Sequence, residues 1–264
     1  MGKILTADQI RAFERKGFVS PVRGLCAAEA RTCREKLEAY EAETGAAEKT
    51  LHMKAHLYLR WLWELSRAPA ITGALQDLLG PDLLVLASRF WIKDPHDRRF
   101  VTWHQDCTYF GLDPELLVTV WLALTPVTSE NGCMRVLPGT HRQGIRQHVE
   151  TRDANNLLAR GQRVEDLDES TAQEVLLEPG EFSLHHGVVL HSSEPNHSAD
   201  RRIGFAWMVM PTSVRSTQGR RRATLLCGED RFGHWEHDRI PTVDRDPALL
   251  EEMAATRRRY EGGG

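Results

Sequence analysis

The apolar positions of this chain change period near residue 80. Before that point they recur at helical spacing. In "LTADQIRAFERKGFV", Ile10, Phe13 and Phe18 supply an apolar stripe, Thr6 and Gln9 have the spacing of a capping box, and Gly17 is a natural stop. "AAEARTCREKLEAYEAETG" is rich in helix formers and ends at Gly45. "YLRWLWELSRAPAITGALQDLLG" predicts two more helical pieces, broken near Pro69. Beyond residue 80, short β-branched and aromatic runs take over. "DLLVLASRFWIK", "FVTWHQDCTYF" and "LLVTVWLALTPV" are separated by turn formers at Pro95–Asp97 and Gly111–Pro114. Asn131-Gly132 and Pro138-Gly139 mark turns in "NGCMRVLPGTHR". Two strands are predicted around Pro179-Gly180 in "AQEVLLEPGEFSLHHGVVLHSS", and another in "RRIGFAWMVMPTSV". Helices followed by many short strands predict a mainly β fold, an antiparallel sandwich or jelly roll with α-helices packed outside.

There is no internal repeat, low-complexity block or Pro/Gly-rich linker, so residues 1–264 are predicted to form one domain. Its parts are a mainly helical 1–80, a β core over 81–215 and an extension over 216–264. The polar stretch from His141 to Gln173, with helical hints, is expected to run over the rim as a lid. A hydrophobic content of 41% and a charged content of 27% fit an ordinary globular protein. The net charge of −3 speaks against a nucleic-acid binder. No apolar run approaches the ~18 residues of a membrane helix, and no signal-peptide h-region is visible. Five cysteines without a CxxC pair fit a reducing compartment and predict a cytoplasmic protein.

"WHQDCTYF" sets a histidine and an aspartate two residues apart among β formers. On a strand, residues i and i+2 share a face, so His104 and Asp106 project together and Gln105 points away. The pair alone is weak evidence, since two polar residues facing water would look the same. Its aromatic flanks, Trp103, Tyr109 and Phe110, suggest a buried strand end where an unpaired aspartate would be costly. His191, on another predicted strand, supplies a possible third ligand. Two histidines and a carboxylate that leave open positions make the facial triad of non-haem Fe(II) oxygenases. Arg202 follows His191 by eleven residues.

At this point the segments "WHQDCTYF", "VTVWLALTPVTSENGCMRVLPGTHR" and "LHHGVVLHSSEPNHSADRRIGFAW" resemble the phytanoyl-CoA dioxygenase family. The likeness covers roughly residues 80–215, and "LTADQIRAFERKGFV" looks like the family's usual opening. The resemblance implies a double-stranded β-helix (jelly-roll, cupin-like) fold. It also implies an Fe(II)- and 2-oxoglutarate-dependent dioxygenase that consumes O2 and releases succinate while hydroxylating an unactivated C–H bond of a small molecule. His104, Asp106 and His191 would then hold iron. Arg202, rather than its neighbour Arg201, would pair with the far carboxylate of 2-oxoglutarate, a task suited to its planar fork. Ser193 would donate a hydrogen bond to the co-substrate, and Trp121 and Gln105 would line the same pocket. The carboxylate ligand disfavours a halogenase, whose relatives replace it with a small residue.

Rival readings are desaturation, cyclisation or demethylation on the same ligands, and a jelly-roll binding protein without turnover. A zinc hydrolase lacks its HExxH motif here. Arg89, Trp91, Tyr109 and Trp207 suggest a partly aromatic substrate pocket with a positive group. That favours a small acidic or zwitterionic metabolite, or a natural-product intermediate, over a long acyl-CoA. His52, Lys54 and His56 alternate in "LHMKAHLYL" and could reach into it, His56 above all; the alternative is a solvated face. His185 and His186 read as packed residues, or as residues standing behind the ligands, rather than as ligands, and Cys107 as a small core residue. The arginine runs at 220–222 and 257–259 could meet a phosphate or carrier, but a solvated charged face explains them as well.

Overall fold

In the computed structural model, residues 4–45, 51–151, 153–158 and 161–253 are described. Two antiparallel sheets face each other. The larger has seven strands, here β1 (Phe18–Arg23), β2 (Leu83–Lys93), β4 (Val118–Ala123), β7 (Glu181–His186), β9 (Arg202–Pro211), β10 (Arg222–Cys227) and β11 (Glu236–His237). Their order is β1-β7-β4-β9-β2-β10-β11, and only the β10–β11 pair is parallel. The smaller sheet has the order β3-β8-β5-β6, with β3 (Val101–His104), β5 (Met134–Val136), β6 (Gln173–Val175) and β8 (His191–Ser193). This is the expected jelly roll.

Helices α1 (Ala7–Lys16), α2 (Ala27–Thr44), α3 (Ala55–Tyr58), α4 (Arg60–Ser66) and α5 (Pro69–Leu79) precede the core strands. The expected capping box is formed, with Thr6 Oγ1 accepting from the Gln9 amide and Gln9 Oε1 from the Thr6 amide. Gly17 ends α1 in the left-handed region, at φ 82°. Two local expectations change. The first 80 residues also contribute β1, which pairs with β7 at the sheet edge; Pro21 is tolerable there because an edge strand has spare backbone groups. The 141–173 stretch carries no α-helix among its described residues; it holds a 3-10 turn at Thr140–Gln143, a short hairpin, Val149–Glu150 with Gln162–Arg163, and a bridge from Asn156 to Phe100 before β6 begins at Gln173.

The period-2 alternation of the large sheet sorts its residues into two layers. Ile203, Phe205, Trp207 and Val209 of β9 face the helices, in one cluster with Phe90 and Ile92 of β2 and with Leu62, Ile71 and Leu75. Arg202, Gly204, Ala206 and Met208 face the smaller sheet. Burying each large apolar side chain of the outer layer contributes about 1.5–3 kcal/mol, an upper figure since unfolded chains are partly collapsed. That layer clamps the sheet rigidly and leaves the inner layer free for polar chemistry.

Gly204 shows how closely the inner layer is fitted. A Cβ there would stand 2.0 Å from the Trp121 ring on the neighbouring strand. Gly204→Ala is therefore expected to cost about 1–3 kcal/mol by overpacking, read as a lower urea midpoint, and to push Trp121 from its place.

Candidate active site

His104 closes β3 and His191 opens β8, and the register sets them directly opposite each other. Their ring centroids lie 4.1 Å apart. Asp106 joins them by a different route from the one the sequence suggests. The strand stops at His104, and a 3-10 turn, Asp106–Tyr109, carries the carboxylate back to the histidines. The turn is held by the Cys107 amide donating to the Gly187 carbonyl at 2.8 Å. A side chain at 187 would collide with Cys107 Sγ, which explains the glycine.

Asp106 Oδ1 lies 3.5 Å from His104 Nε2 and 3.8 Å from His191 Nε2. All three side chains are buried, and one donor atom from each falls within 4.8 Å of the others. Each histidine is oriented from behind. His104 Nδ1 contacts the Thr102 carbonyl at 2.9 Å and His191 Nδ1 the Val189 carbonyl at 3.0 Å. A carbonyl only accepts, so both Nδ1 atoms carry a proton and both Nε2 atoms turn toward Asp106, the atoms a metal would take in place of any proton there. Burial, then the charge of His104, holds His191 well below its ordinary pKa. The neutral ring is the form that ligates a metal. Burial pushes Asp106 the other way, but His191, His104 and His185 outweigh it and hold the carboxyl well below its ordinary value. Two imidazole nitrogens and one carboxylate oxygen, converging from one side, fit Fe(II) in an open site.

Two cavities meet at this triad, sharing Trp91, His104, Asp106 and Met208. The inner one, about 430 Å³, runs past Trp121, Met134 and Ser193 to Arg202. Arg202 is 2% exposed, lies over the Trp121 ring at 5.4 Å and donates from Nη1 to the Gly132 carbonyl. Its Nε is buried with no hydrogen-bond partner. Beside it in register stands Lys93, fully buried. Lys93 Nζ donates to Ser193 Oγ at 2.6 Å and to the Glu194 carbonyl. Burial, then the charge of Arg202, lowers Lys93 to about 6; burial lowers Arg202 to about 10. Among the described residues, neither group has a carboxylate within ion-pair distance. A buried guanidinium without a protein anion, beside an amine that burial keeps neutral above about pH 6, is costly unless a ligand brings the anion, and such an anion would also favour the charged amine.

The outer cavity, about 520 Å³, is lined by His52, Arg89, Tyr109, Phe110 and Leu158 among others. Arg89 lies 3.9 Å above the Trp91 ring. Leu158 comes from the 141–173 excursion, so that segment does reach the rim of the site.

Three sequence expectations are corrected. Gln105 does not line the pocket: it is fully buried, donates to the Gly144 and Val188 carbonyls and accepts from the Arg146 amide. It ties the excursion to the metal-binding strand, because it points away from the histidines as strand parity requires. His56 does not reach the substrate cavity. It is sealed on the helix side between Ser88 Oγ (2.7 Å) and Thr224 Oγ1 (2.8 Å), beside the buried Lys54–Asp238 pair. Burial, then Lys54, pushes it down to about 3, so it is neutral. Trp207 faces the helices because it has the opposite parity to Arg202 and Met208.

Arg201 points outward to Glu41 and Asp94. Arg220 and Arg222 pair with Glu236, and Arg222 also with Asp238 and Glu252; the 257–259 run lies outside the described residues. Lys93 was missed, although its parity with Arg89 and Trp91 in "RFWIK" was available. Of the two places expected for His185, it takes the one behind the ligands, with Nε2 3.4 Å from Asp106 Oδ2.

Comparison with known proteins agrees with this geometry. The model of the phytanoyl-CoA dioxygenase (PhyH) family matches residues 9–204. A probable alpha-ketoglutarate-dependent hypophosphite dioxygenase of Stutzerimonas stutzeri is 33% identical over 176 residues, 63% of this chain and 61% of that protein. The human peroxisomal phytanoyl-CoA dioxygenase is 26% identical over 140 residues, 51% of this chain and 41% of that protein. The chain thus spans less than two thirds of the length of both of these relatives. Among solved structures, the non-heme monooxygenase ThoJ in its apo form superposes with a TM-score of 0.84 at 35% identity, covering 97% of this chain and 96% of that one. CytC3 with Fe(II) and alpha-ketoglutarate superposes at 0.64 with 25% identity, over 87% and 91%. No helix among the described residues is long and apolar enough to cross a membrane. With its family model matched over most of its length, the chain belongs to the phytanoyl-CoA dioxygenase family, whose relatives and structural neighbours are Fe(II)- and 2-oxoglutarate-dependent enzymes.

Proposed function

We propose that this protein is an Fe(II)- and 2-oxoglutarate-dependent oxygenase that hydroxylates an unactivated C–H bond of a small, anionic metabolite. The observation that carries the reading is the inner cavity. It has an open His104–Asp106–His191 triad at one end and the buried Arg202, with no carboxylate partner, at the other; Lys93 stands beside Arg202 in register and reaches the cavity wall through Ser193. Arg202 and Lys93 would take the far carboxylate of 2-oxoglutarate, with Ser193 between them as a hydroxyl donor. The buried Arg202 Nε is the free donor that such a carboxylate would satisfy.

When bound, iron and 2-oxoglutarate supply the activation of dioxygen, with the co-substrate decarboxylated to succinate. The remaining work belongs to side chains. Trp121 and Met134 keep water from the inner cavity. In the outer cavity the Arg89 guanidinium, fixed on Trp91, would hold an anionic group and so choose which C–H bond faces the triad. The relative named for hypophosphite, a small anion, supports the same preference. One neighbour, 26% identical, is a carbocyclase, which shows that the scaffold can host another oxidative outcome when a different bond is presented.

Anaerobic addition of Fe(II) and then 2-oxoglutarate to metal-free protein tests the reading. A visible metal-to-ligand charge-transfer band is expected on the second addition. If there is neither band nor measurable 2-oxoglutarate affinity, the oxygenase assignment is wrong.

A further inference from the structure

The two oxygens of Asp106 meet different company. Oδ1 faces the His104 and His191 Nε2 atoms. Oδ2 meets a different pair. It accepts a hydrogen bond from Thr119 Oγ1 at 2.6 Å and lies 3.4 Å from His185 Nε2. Thr119 and His185 are direct cross-strand partners, on β4 and β7. Both belong to the inner layer of the large sheet, so the register aims them at one atom.

His185 is also unusual in itself. It is 2% exposed, and neither ring nitrogen makes a hydrogen bond. A buried imidazole left in that state forgoes its hydrogen bonding, a cost that a purely space-filling leucine at this position would avoid. Its ring lies 4.6 Å from that of His191, too near the triad for its environment to be accidental. It is not placed as a fourth ligand, since the group of donor atoms mutually within 4.8 Å contains only the other three residues.

We propose that His185 and Thr119 act as a two-donor clasp on Asp106 Oδ2 that confines Asp106 to ligation through Oδ1 alone. The inference rests on the metal site proposed above and goes beyond its three ligands. A free carboxylate readily chelates a cation with both oxygens. Here a second Asp106 oxygen would occupy a position that the chelating co-substrate or dioxygen requires. The Thr119 hydroxyl already bonds Oδ2, and His185 Nε2, 3.4 Å away on the adjacent strand and without another partner, supplies the second donor when a cation fixes Oδ1; together they hold Oδ2 on the protein side. His185 and Thr119 are positioning residues, acting through Asp106.

The test is anaerobic calorimetry of Fe(II) binding, with the 2-oxoglutarate charge-transfer spectrum and a melting curve for each protein. The variants are His185→Leu, His185→Gln, Thr119→Val and Thr119→Ser. His185→Leu and Thr119→Val are expected to change Fe(II) affinity by up to about 10–100-fold, as loss of a ligand's outer partner does, and to weaken 2-oxoglutarate binding to the Fe(II)-loaded protein and shift the band, because a freed Oδ2 competes for the co-substrate's position. Thr119→Ser, and His185→Gln with its amide donor, should recover most of the wild-type behaviour. Wild-type 2-oxoglutarate affinity and an unshifted band in folded His185→Leu would overturn the clasp. If His185→Leu does not fold, the same result in Thr119→Val, which keeps the side-chain shape, overturns it. Failure of the wild-type protein to bind Fe(II) would be a different result, overturning the metal site and the clasp with it.

Discussion

Alanine in place of Asp106 is expected to lower Fe(II) affinity by more than about 100-fold, beyond the ~10–100-fold that loss of a ligand's outer partner costs, and to abolish succinate release. Asp106 is the only anion among the three ligands, so its loss removes the charge that balances the cation. It also removes the acceptor that gathers Thr119 and His185 on one side and faces the two histidines on the other. Asp106→Asn should be almost as damaging. An amide offers one acceptor where the site uses two, so either the metal or the Thr119–His185 side would meet an NH2 group. Asp106→Glu keeps the charge but carries it one methylene too far for a turn pinned by Cys107 and Gly187. Because its surroundings hold the Asp106 carboxyl below its ordinary value, the carboxylate stabilises the metal-free fold, and the variants should melt somewhat lower than the wild type. Calorimetry, coupled to melting curves of the same samples, separates lost ligation from lost structure.

Much of this site was legible in the sequence because it depends on short, strongly patterned segments. The alternation in "DLLVLASRFWIK" and "RRIGFAWMVM" fixes which residues face inward. The H-x-D pair, His191 and Arg202 stand at spacings that a chance arrangement seldom gives. What was not legible depends on register between strands. Lys93 matters because it lies opposite Arg202, and His185 because it lies opposite Thr119. Neither pairing can be read from either segment alone. His56 misled because a histidine between apolar residues looks the same whether it faces a cavity or a buried hydroxyl. The placement of Ser88 and Thr224 decided that, and both come from distant strands. Asp106 shows the reverse: the grouping was right although the strand ended two residues too early for the argument. The chemical need for the three ligands to converge was a better guide than the assumed backbone.

Arg202→Ala is expected to weaken 2-oxoglutarate binding by about 30-fold to several thousand-fold. Truncating one partner of a buried, hydrogen-bonded charge pair costs about 2–5 kcal/mol, and each 1.4 kcal/mol is tenfold. Lys93 should add a pH dependence that Arg202 cannot. In the free protein, burial and then Arg202 hold Lys93 at about 6, far below its ordinary 10.5. The unfolded chain therefore binds more protons than the folded one between those values. The ligand-free protein bears the full cost of this lysine below pH 6 and gains stability as pH rises from about 6 toward 10.5. A bound carboxylate favours the charged amine, so above pH 6 binding must take up a proton. Affinity for 2-oxoglutarate should then fall as pH rises through 7 and 8, by up to about tenfold per unit. The other groups around Lys93 do not produce this slope. Arg202 titrates at about 10 and Cys133 at about 11, both because of burial. Burial raises Asp97, but its bonds to Arg99 outweigh that and keep it below its ordinary value. Glu194 faces the amine through its main-chain carbonyl, and its half-exposed side chain turns to Arg135. Lys93→Met should flatten the dependence and weaken binding at pH 6.5 much more than at pH 8.5. Calorimetry in two buffers of different ionisation enthalpy counts the protons directly. An uptake near zero at pH 7.5 in wild type would show that Lys93 does not change its protonation on binding and would overturn its role as the proton-linked partner of 2-oxoglutarate.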